Sequence, residues 1–431
     1  MKNSGVEWIG EIPEDWEVSK ILNCLRKRIS DGPHETPKYV ETGIPFISVD
    51  SLNDTEYVDF SFVNRFISDE DYFEYNKKTN LEENDILFSK AATIGKTAIV
   101  HADEKFMVWS PIAILKTNNS LDNRFLYFLL NYDGLITHIS YLGSINTQIN
   151  VGMRELEQAR IPLPPKETQQ RIAAYLDKKC SKIEETIQNQ QQVIEKLKAY
   201  KQSLITEAVT GKVKIVNGKA CGEYESYKDS GEEWIGKIPS EWEVGKFGRF
   251  AQVKSNLVDP NLYLEYPQIA PDNIGKGSGK LIDWQTVKDS GVISWNHLFF
   301  KGQIVYSKIR PTLNKLIIAP FDGLCSADMY PIETNMYKQF FVYMMLSQYF
   351  VEQVGLITRD RVKMPKINQN ELSGILITVP TKEEQKEISD YLDKKCTAID
   401  TAIEQKQELI VKLTEYKKSL IYECVTGKKE I

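Results

Sequence analysis

The chain has 431 residues, of which 42% are hydrophobic and 26% charged, with a formal net charge of −6; this suits a globular protein of about two to four domains. No apolar run reaches the roughly 20 residues of a membrane span, and the first ten residues hold no apolar signal-peptide core, which excludes membrane insertion and secretion by that route. Six cysteines without Cys-x-x-Cys spacing exclude a zinc or disulfide framework and fit a reducing cytoplasm, while the acidic total excludes a nucleic-acid binder that works by overall charge.

The first feature in chain order is a motif, SGVEWIGEIPEDWEVSK at residues 4–20, which returns as SGEEWIGKIPSEWEVGK at 230–246. Behind it lies a block, residues 21–163, with 14 basic and 20 acidic side chains. FISV (46–49), DILFS (85–89) and KTAIV (96–100) read as strands, and NRFLYFLLNY (123–132) reads as an apolar helix with its aromatics in a core. The turn-rich stretch SDGPHETPKY (30–39) carries His34 and Lys38. The loop between the second and third strands carries Lys90, Thr93 and Lys96, whose ammonium groups at loop ends suit phosphates. Near the end of the block, GSINTQIN (143–150) brings Asn146, Gln148 and Asn150, side chains able to read base edges.

Catalytic motifs fail on inspection. Lys90 to Thr97 ends like a phosphate-binding P-loop, but Lys90 stands where its first glycine belongs. Four histidines form no HxxxH or HxE cluster, so no metal site is expected. No Asn-Pro-Pro-aromatic tetrapeptide, nuclease triplet or Ser/His/Asp set stands out, and the chain reads as non-catalytic.

Residues 167–209 contain neither Gly nor Pro and predict one helix of roughly 65 Å. Leu176, Ile183, Ile187, Ile194, Leu197 and Leu204, with Cys180 in register, form a heptad seam. The second copy repeats it at Leu392, Ile399, Ile403, Ile410, Leu413 and Leu420, with Cys396. Gln190 and Lys201, then Lys406 and Lys417, interrupt the two seams; such breaks either fix register or reach solvent. Val193 and Tyr200, matched by Leu409 and Tyr416, widen the stripe into a second contact surface. Each helix ends at Thr-Gly-Lys, a glycine stop. A helix of this length needs a partner, and its own copy paired antiparallel is the obvious one. Cys180 and Cys396 would then lie apart, so no disulfide is expected between them.

After residues 213–229, read as a linker, and the second copy of the opening motif comes the second block. Its part over residues 247–378 has 14 basic and 11 acidic side chains. QIVYS (303–307) and KLIIA (315–319) read as strands and QFFVYMMLSQYF (339–350) as an apolar helix. The loop between those strands carries Lys308, Arg310 and Lys315, and a later stretch brings Arg359, Arg361 and Lys363. Phe88-Ser89-Lys90 aligns with Tyr306-Ser307-Lys308, and Lys96 with Lys315.

The duplicated parts, in this order, resemble the specificity subunit of type I restriction–modification systems. The likeness rests on the Glu-Trp-Ile-Gly-x-Ile-Pro-x-x-Trp opening, a divergent block, and then a Pro-x-x-Glu-x-Gln motif that starts a long helix, with Gln169 and Gln385 as its glutamines. DGPHETPKY, GIPFISV and ATIGK look like one known type of target-recognition domain. The resemblance implies an α+β fold: two target-recognition domains separated by two long helices that pair as an antiparallel coiled coil, a pseudo-two-fold tandem duplication. It divides the chain into 1–163, the helix 164–212, the linker 213–229, a second domain 230–379 and the helix 380–431. The implied function is non-catalytic: each domain reads one half of a bipartite, asymmetric site in double-stranded DNA. The helices set the spacing and dock two modification subunits, which methylate adenine N6. Restriction subunits would supply translocation and cleavage. S-adenosylmethionine, ATP and Mg belong to those partners, with no cofactor in this chain and no membrane. Two readers on one face of a duplex place half-sites about one turn, roughly 10 base pairs, apart. A freestanding pseudo-dimeric DNA-binding regulator and a coiled-coil scaffold without DNA contact are the alternative readings.

Overall fold

A computed structural model of the chain describes residues 1–52, 56–91, 93–101, 103, 105–142, 151–232, 235–361 and 363–431. They form two compact units: residues 1–190 with 408–431, and residues 191–407. Each unit therefore holds one divergent block, the first half of one long helix and the second half of the other. The long helices run Lys166–Val209 and Lys382–Val425.

Within the first unit, a four-stranded antiparallel sheet has the order Ser30–Asp31, Ile112–Leu115, Ile86–Ser89, Thr97–Ile99. The second unit repeats it with Ala251–Val253, Met329–Thr334, Ile304–Ser307 and Leu316–Ile318. A second sheet recurs as well. Ile44–Ile47 lies antiparallel to Phe66–Ile67 and parallel to Met107–Val108; Pro267–Ile269 lies antiparallel to Gln285–Thr286 and parallel to Gly323–Cys325. The strands read from sequence fall within one or two residues of these bounds. The exception is FISV, whose second half turns into a short 3-10 helix, Val49–Ser51.

Apolar helices close each core. Asn123–Leu130 is capped by the Asp122 carboxylate and buries Phe125, Leu126 and Phe128. In the second unit the stretch read as one helix over 339–350 is broken. Lys338–Leu346 ends at Ser347, whose hydroxyl caps Gln348–Thr358 by accepting from the Phe350 amide, and the two axes differ by 58°. Ser347 prefers the cap because its extended backbone frees the hydroxyl for an orphan amide. The aromatics of both stretches, Phe340, Phe341, Tyr349 and Phe350 among them, are buried, as the core reading requires. No single helix among the described residues is long and apolar enough to cross a membrane.

Of the seam positions, Leu176, Ile183, Ile194, Leu204, Leu392, Ile399, Ile403 and Leu420 are buried, and Ile187, Leu197, Ile410 and Leu413 are half-buried. In the first unit Leu176, Cys180 and Ile183 share a core with Leu420, Ile421 and Cys424, so the start of one helix meets the end of the other. The interrupting lysines are not loose. Lys417 is ion-paired to Glu184 in the first unit, and Lys201 to Asp400 at 2.7 Å in the second. The two pairs occupy equivalent places in the repeat, and both favour the antiparallel register. Burial pushes the Cys180 and Cys396 thiols up to about 11 and Cys424 up to about 12, and all six cysteines are free thiols.

Each opening motif wraps a helix end of its own unit. Gly427 (φ +70°) closes its helix with bonds from its own amide to Cys424 and from Lys428 to Glu423, the paired bonds of a Schellman stop. The Lys428 ammonium then reaches the Ile9 carbonyl at 2.5 Å. Gly211 and Lys212 repeat this in the second unit, where Lys212 reaches the carbonyls of Ile235 and Lys237. A Cβ on Gly427 would meet Pro13 at 2.4 Å. Gly427→Ala is expected to cost about 2 kcal/mol from left-handed strain and this clash; an unchanged urea midpoint would show that the stop tolerates a side chain.

Residues 213–229 are not an open connection. Ile215–Val216 and Lys219–Ala220 form a hairpin around Asn217-Gly218, both at positive φ, the backbone that an Asn-Gly turn favours. Tyr227–Asp229 then pairs with Lys237–Pro239.

Candidate nucleic-acid interface

The hairpin loop of each four-stranded sheet is held in the same way. In the first unit the Lys90 amide donates to the Pro111 carbonyl (2.9 Å), and the Val151 amide donates to the Lys90 carbonyl (2.8 Å). In the second, the Lys308 amide donates to Asp328 (3.0 Å) and the Ile367 amide to Lys308 (3.0 Å). The Ser89 amide donates to the Lys96 carbonyl (2.8 Å), as the Ser307 amide does to Lys315 (2.9 Å), and the Ser89 carbonyl accepts from Gly95 within the loop (3.1 Å). The faint alignment of Lys90 with Lys308 and Lys96 with Lys315 is thus a backbone equivalence. It also places Val151 in the first block and Ile367 in the second beside the hairpin loop of their own sheet.

In the second unit that juxtaposition is complete. Arg310 and Asn314, both left-handed, bracket the 3-10 turn Pro311–Leu313, and the Asn314 amide group donates to Met345 (2.9 Å), which fixes the loop. The Arg310 amide donates to Pro365 (2.7 Å), and Ile309 bridges to Lys366. Lys308 and Arg310 therefore lie beside residues 365–367, the chain that follows Lys363. Arg310, Arg359 and Lys363 are exposed with no side-chain partner among the described residues. Lys308 sits 5.2 Å from the Tyr330 ring centre. Arg361, though exposed, makes a two-pronged pair with Glu371, and Lys315 bonds the Pro271 carbonyl (2.7 Å) and Asp272 (3.2 Å). These two cations brace the loop before they can serve a ligand.

In the first unit Thr93 is exposed and Lys96 half-buried at the hairpin tip. Lys90 is mostly buried and lies 3.3 Å from Asp31, a carboxylate with no solvent exposure. Asp31 also holds Lys78 at 2.6 Å and the ring of His34 at 3.1 Å. Burial pushes the Asp31 carboxyl up, but the ammonium groups of Lys78 and Lys90 outweigh it and hold it below its ordinary range. Three basic side chains are thereby anchored at one point. Sequence reasoning missed Asp31 and Lys78 because the pair is separated by 47 positions and no spacing rule connects them. Asn146, Gln148 and Asn150 lie outside the described residues. Lys38, named with His34, is exposed on the same loop.

Gln169 and Gln385 have a different role. Gln169 is fully buried; its Oε1 accepts from the Asp122 amide (2.7 Å), and its Nε2 donates to the Ser120 and Pro164 carbonyls (both 2.8 Å). Gln385 accepts from the Tyr337 amide (2.8 Å) and donates to Pro380 (2.9 Å). Each glutamine ties the start of a long helix to the cap of the apolar helix in its own unit. They are fold residues, remote in purpose from any ligand. Among the described residues no group of His, Cys, Asp or Glu is arranged to hold a metal ion.

Comparison with known proteins agrees with this arrangement. The family described as the type I restriction modification DNA specificity domain matches residues 13–198 and again 239–411. The type I restriction enzyme EcoDI specificity subunit of Escherichia coli is 31% identical over 341 residues, covering 77% of this chain and 74% of its own. The MjaVIII specificity subunit of Methanocaldococcus jannaschii is 27% identical, covering 97% and 93%. A solved chain from a study of assembly and conformational transition in the type I restriction–modification system shares the fold, with TM-score 0.70 at 13% identity over 97% of this chain and all of that one. The HsdS subunit of Thermoanaerobacter tengcongensis does so at TM-score 0.51, also at 13% identity, over 97% and 98%.

The chain belongs to the type I restriction–modification specificity subunits, the non-catalytic members of their complexes, which recognise DNA sequence. The mixed α+β fold with two recognition blocks and two long helices is the architecture of that family.

Proposed function

We propose that each block reads one half of a bipartite, asymmetric DNA site, with residues 1–163 and 230–379 as the two recognition domains. The long helices, within 164–212 and 380–431, set the spacing between the halves and dock two modification subunits that methylate adenine N6. The observation that carries this reading is the repeated hairpin: one backbone frame, bonded alike in both blocks, presents different side chains. Equal frames with unequal readers suit a site whose halves differ. Flipping a paired adenine into a partner's pocket requires that the duplex be held by another subunit, and this chain supplies that grip.

Lys90, Thr93 and Lys96 with Asn146, Gln148 and Asn150 contact the first half-site; Lys308, Arg310, Lys315, Arg359, Arg361 and Lys363 contact the second. Val193 and Tyr200 in one unit, and Leu409 and Tyr416 in the other, are 36% to 55% exposed on the long helices. Solvent-facing apolar side chains in such rows fit partner helices. Restriction subunits join the same complex, and the assembly works in the cytoplasm on double-stranded DNA.

The test is co-expression with the modification subunit encoded beside this chain, followed by mapping methyladenine across the host DNA by single-molecule sequencing. A split motif with two unlike halves and a fixed gap is the expected result. A co-purifying, active methyltransferase that leaves no such motif would sink the reading. Lys363→Ala in this complex is expected to weaken binding on every duplex and reduce the salt dependence by about one counterion. Equal salt slopes for variant and parent would remove Lys363 from the phosphate contacts.

A further inference from the structure

We propose that Arg65 reads a guanine in the half-site of the first recognition domain, and that Gln285 occupies the equivalent reading position of the second; this rests on the half-site reading above. Arg65 is exposed and stands just ahead of the strand Phe66–Ile67. Its carbonyl accepts from the Phe46 amide at 2.9 Å, which fixes the backbone from which the side chain projects. The guanidinium lies 5.4 Å from the centre of the Tyr39 ring and 6.0 Å from that of Trp109.

Three other arginines of this block are spent on acids: Arg26 on Glu82 and Asp85, Arg28 on Glu157, Arg124 on Glu56 and Asp177. Arg65 has no acidic partner among the described residues. Two aromatic neighbours orient its plane and leave its N–H edge unpaired. A planar fork ordered in advance loses little freedom when it makes two parallel hydrogen bonds, and guanine O6 and N7 are the base edge that matches it.

The stack borders the cation cluster of the hairpin. A Cβ on Gly32 would meet Val108 at 1.8 Å and Trp109 at 2.9 Å, so Gly32 lets the 30–39 loop close onto Trp109. The next residue back is Asp31, which holds Lys90, Lys78 and His34. Arg65 thus stands next to groups suited to the phosphates of the same duplex.

The second block supports a base contact over a phosphate contact. Continuing the ladder, Arg65 stands opposite Phe46, and Gln285 stands opposite Gln268. Phe46 and Gln268 in turn lie beside Met107 and Leu324 in the matching parallel pairs. The two positions are therefore one backbone address. Gln285 is exposed, has no side-chain partner among the described residues, and is neutral. A neutral amide does not neutralise a phosphate, but it pairs in two bonds with adenine N6 and N7.

The experiment uses the full complex with its modification subunit. The parent complex is first mapped for its methylated motif, since absence of a split motif there overturns the half-site reading and this one with it. Given a motif, Arg65→Ala is expected to relax one position of one half by roughly tenfold or more and leave the other half unchanged. Gln285→Ala should relax one position in the opposite half. Arg65→Lys keeps the charge but loses the fork, and should relax the same position as Arg65→Ala. It also decides the matter if the alanine variant fails to assemble. Methylation motifs identical to the parent's, or binding lowered equally on every duplex, would overturn the assignment while leaving the half-site reading intact.

Discussion

Exchanging residues 21–163 for the corresponding block of another specificity subunit is expected to replace one half of the methylated motif and leave the other half and the gap unchanged. The basis is the independence of the two cores. The first block closes its apolar helices and both sheets inside its own unit, and so does the second. The exchange leaves in place the opening motif and its hold on Gly427 and Lys428. It also leaves the seam pair Glu184–Lys417. The spacing elements therefore survive while every proposed reader of the first half, Arg65 included, is replaced. Sequencing of host DNA reads the result directly. A hybrid that is stable and active but changes both halves, or neither, would contradict one reader per block.

The second large effect is expected at Gln169. Replacing it by alanine strips partners from the buried Pro164 carbonyl, from the half-buried Asp122 amide and from the carbonyl of exposed Ser120, and leaves a void where the fully buried Gln169 side chain stood. Each orphaned buried group costs about 1–3 kcal/mol, so a loss of roughly 3 kcal/mol or more is expected for the first unit. Gln169→Glu should be no milder. A carboxylate can still accept from Asp122 but turns an oxygen toward two carbonyl oxygens. Gln385→Ala is expected to cost less, because one amide and one carbonyl lose their partner there. Urea denaturation of the three variants gives the ranking. A midpoint for Gln169→Ala equal to the parent's would show that this glutamine is not what fastens the helix to the block.

The long helices and their seams were legible from heptad spacing, because a 44-residue run without Gly or Pro has one regular conformation open to it. Their glycine stops were legible too, since a left-handed residue after a helix favours glycine. The break at Ser347 was not. The apolar pattern continues through it, and only the hydroxyl's bond to the Phe350 amide reveals a cap. The hairpin at Asn217-Gly218 carried a recognisable turn signal but lay in a short polar stretch that composition assigns to a linker.

At the interface the division is similar. The sequence marked the loops that carry basic and amide side chains, and the faint match between Lys90 and Lys308 is a true backbone equivalence. It did not tell which of those cations are spoken for. Asp31 captures Lys90, Asp272 captures Lys315 and Glu371 captures Arg361, in each case through folding that joins separate stretches. Nor did it mark Arg65, whose significance lies in Tyr39 and Trp109, brought to it by two different segments.

Duplication, helix length, seam register and the absence of catalytic motifs are one-dimensional properties: they depend on residue type and spacing along the chain. Which charged groups are neutralised within the protein, and which stand free toward a ligand, depends on distances of a few ångströms between residues tens of positions apart. Charge interactions at such range are set by the packing around them. That partition of cations into braces and readers was made by the tertiary structure.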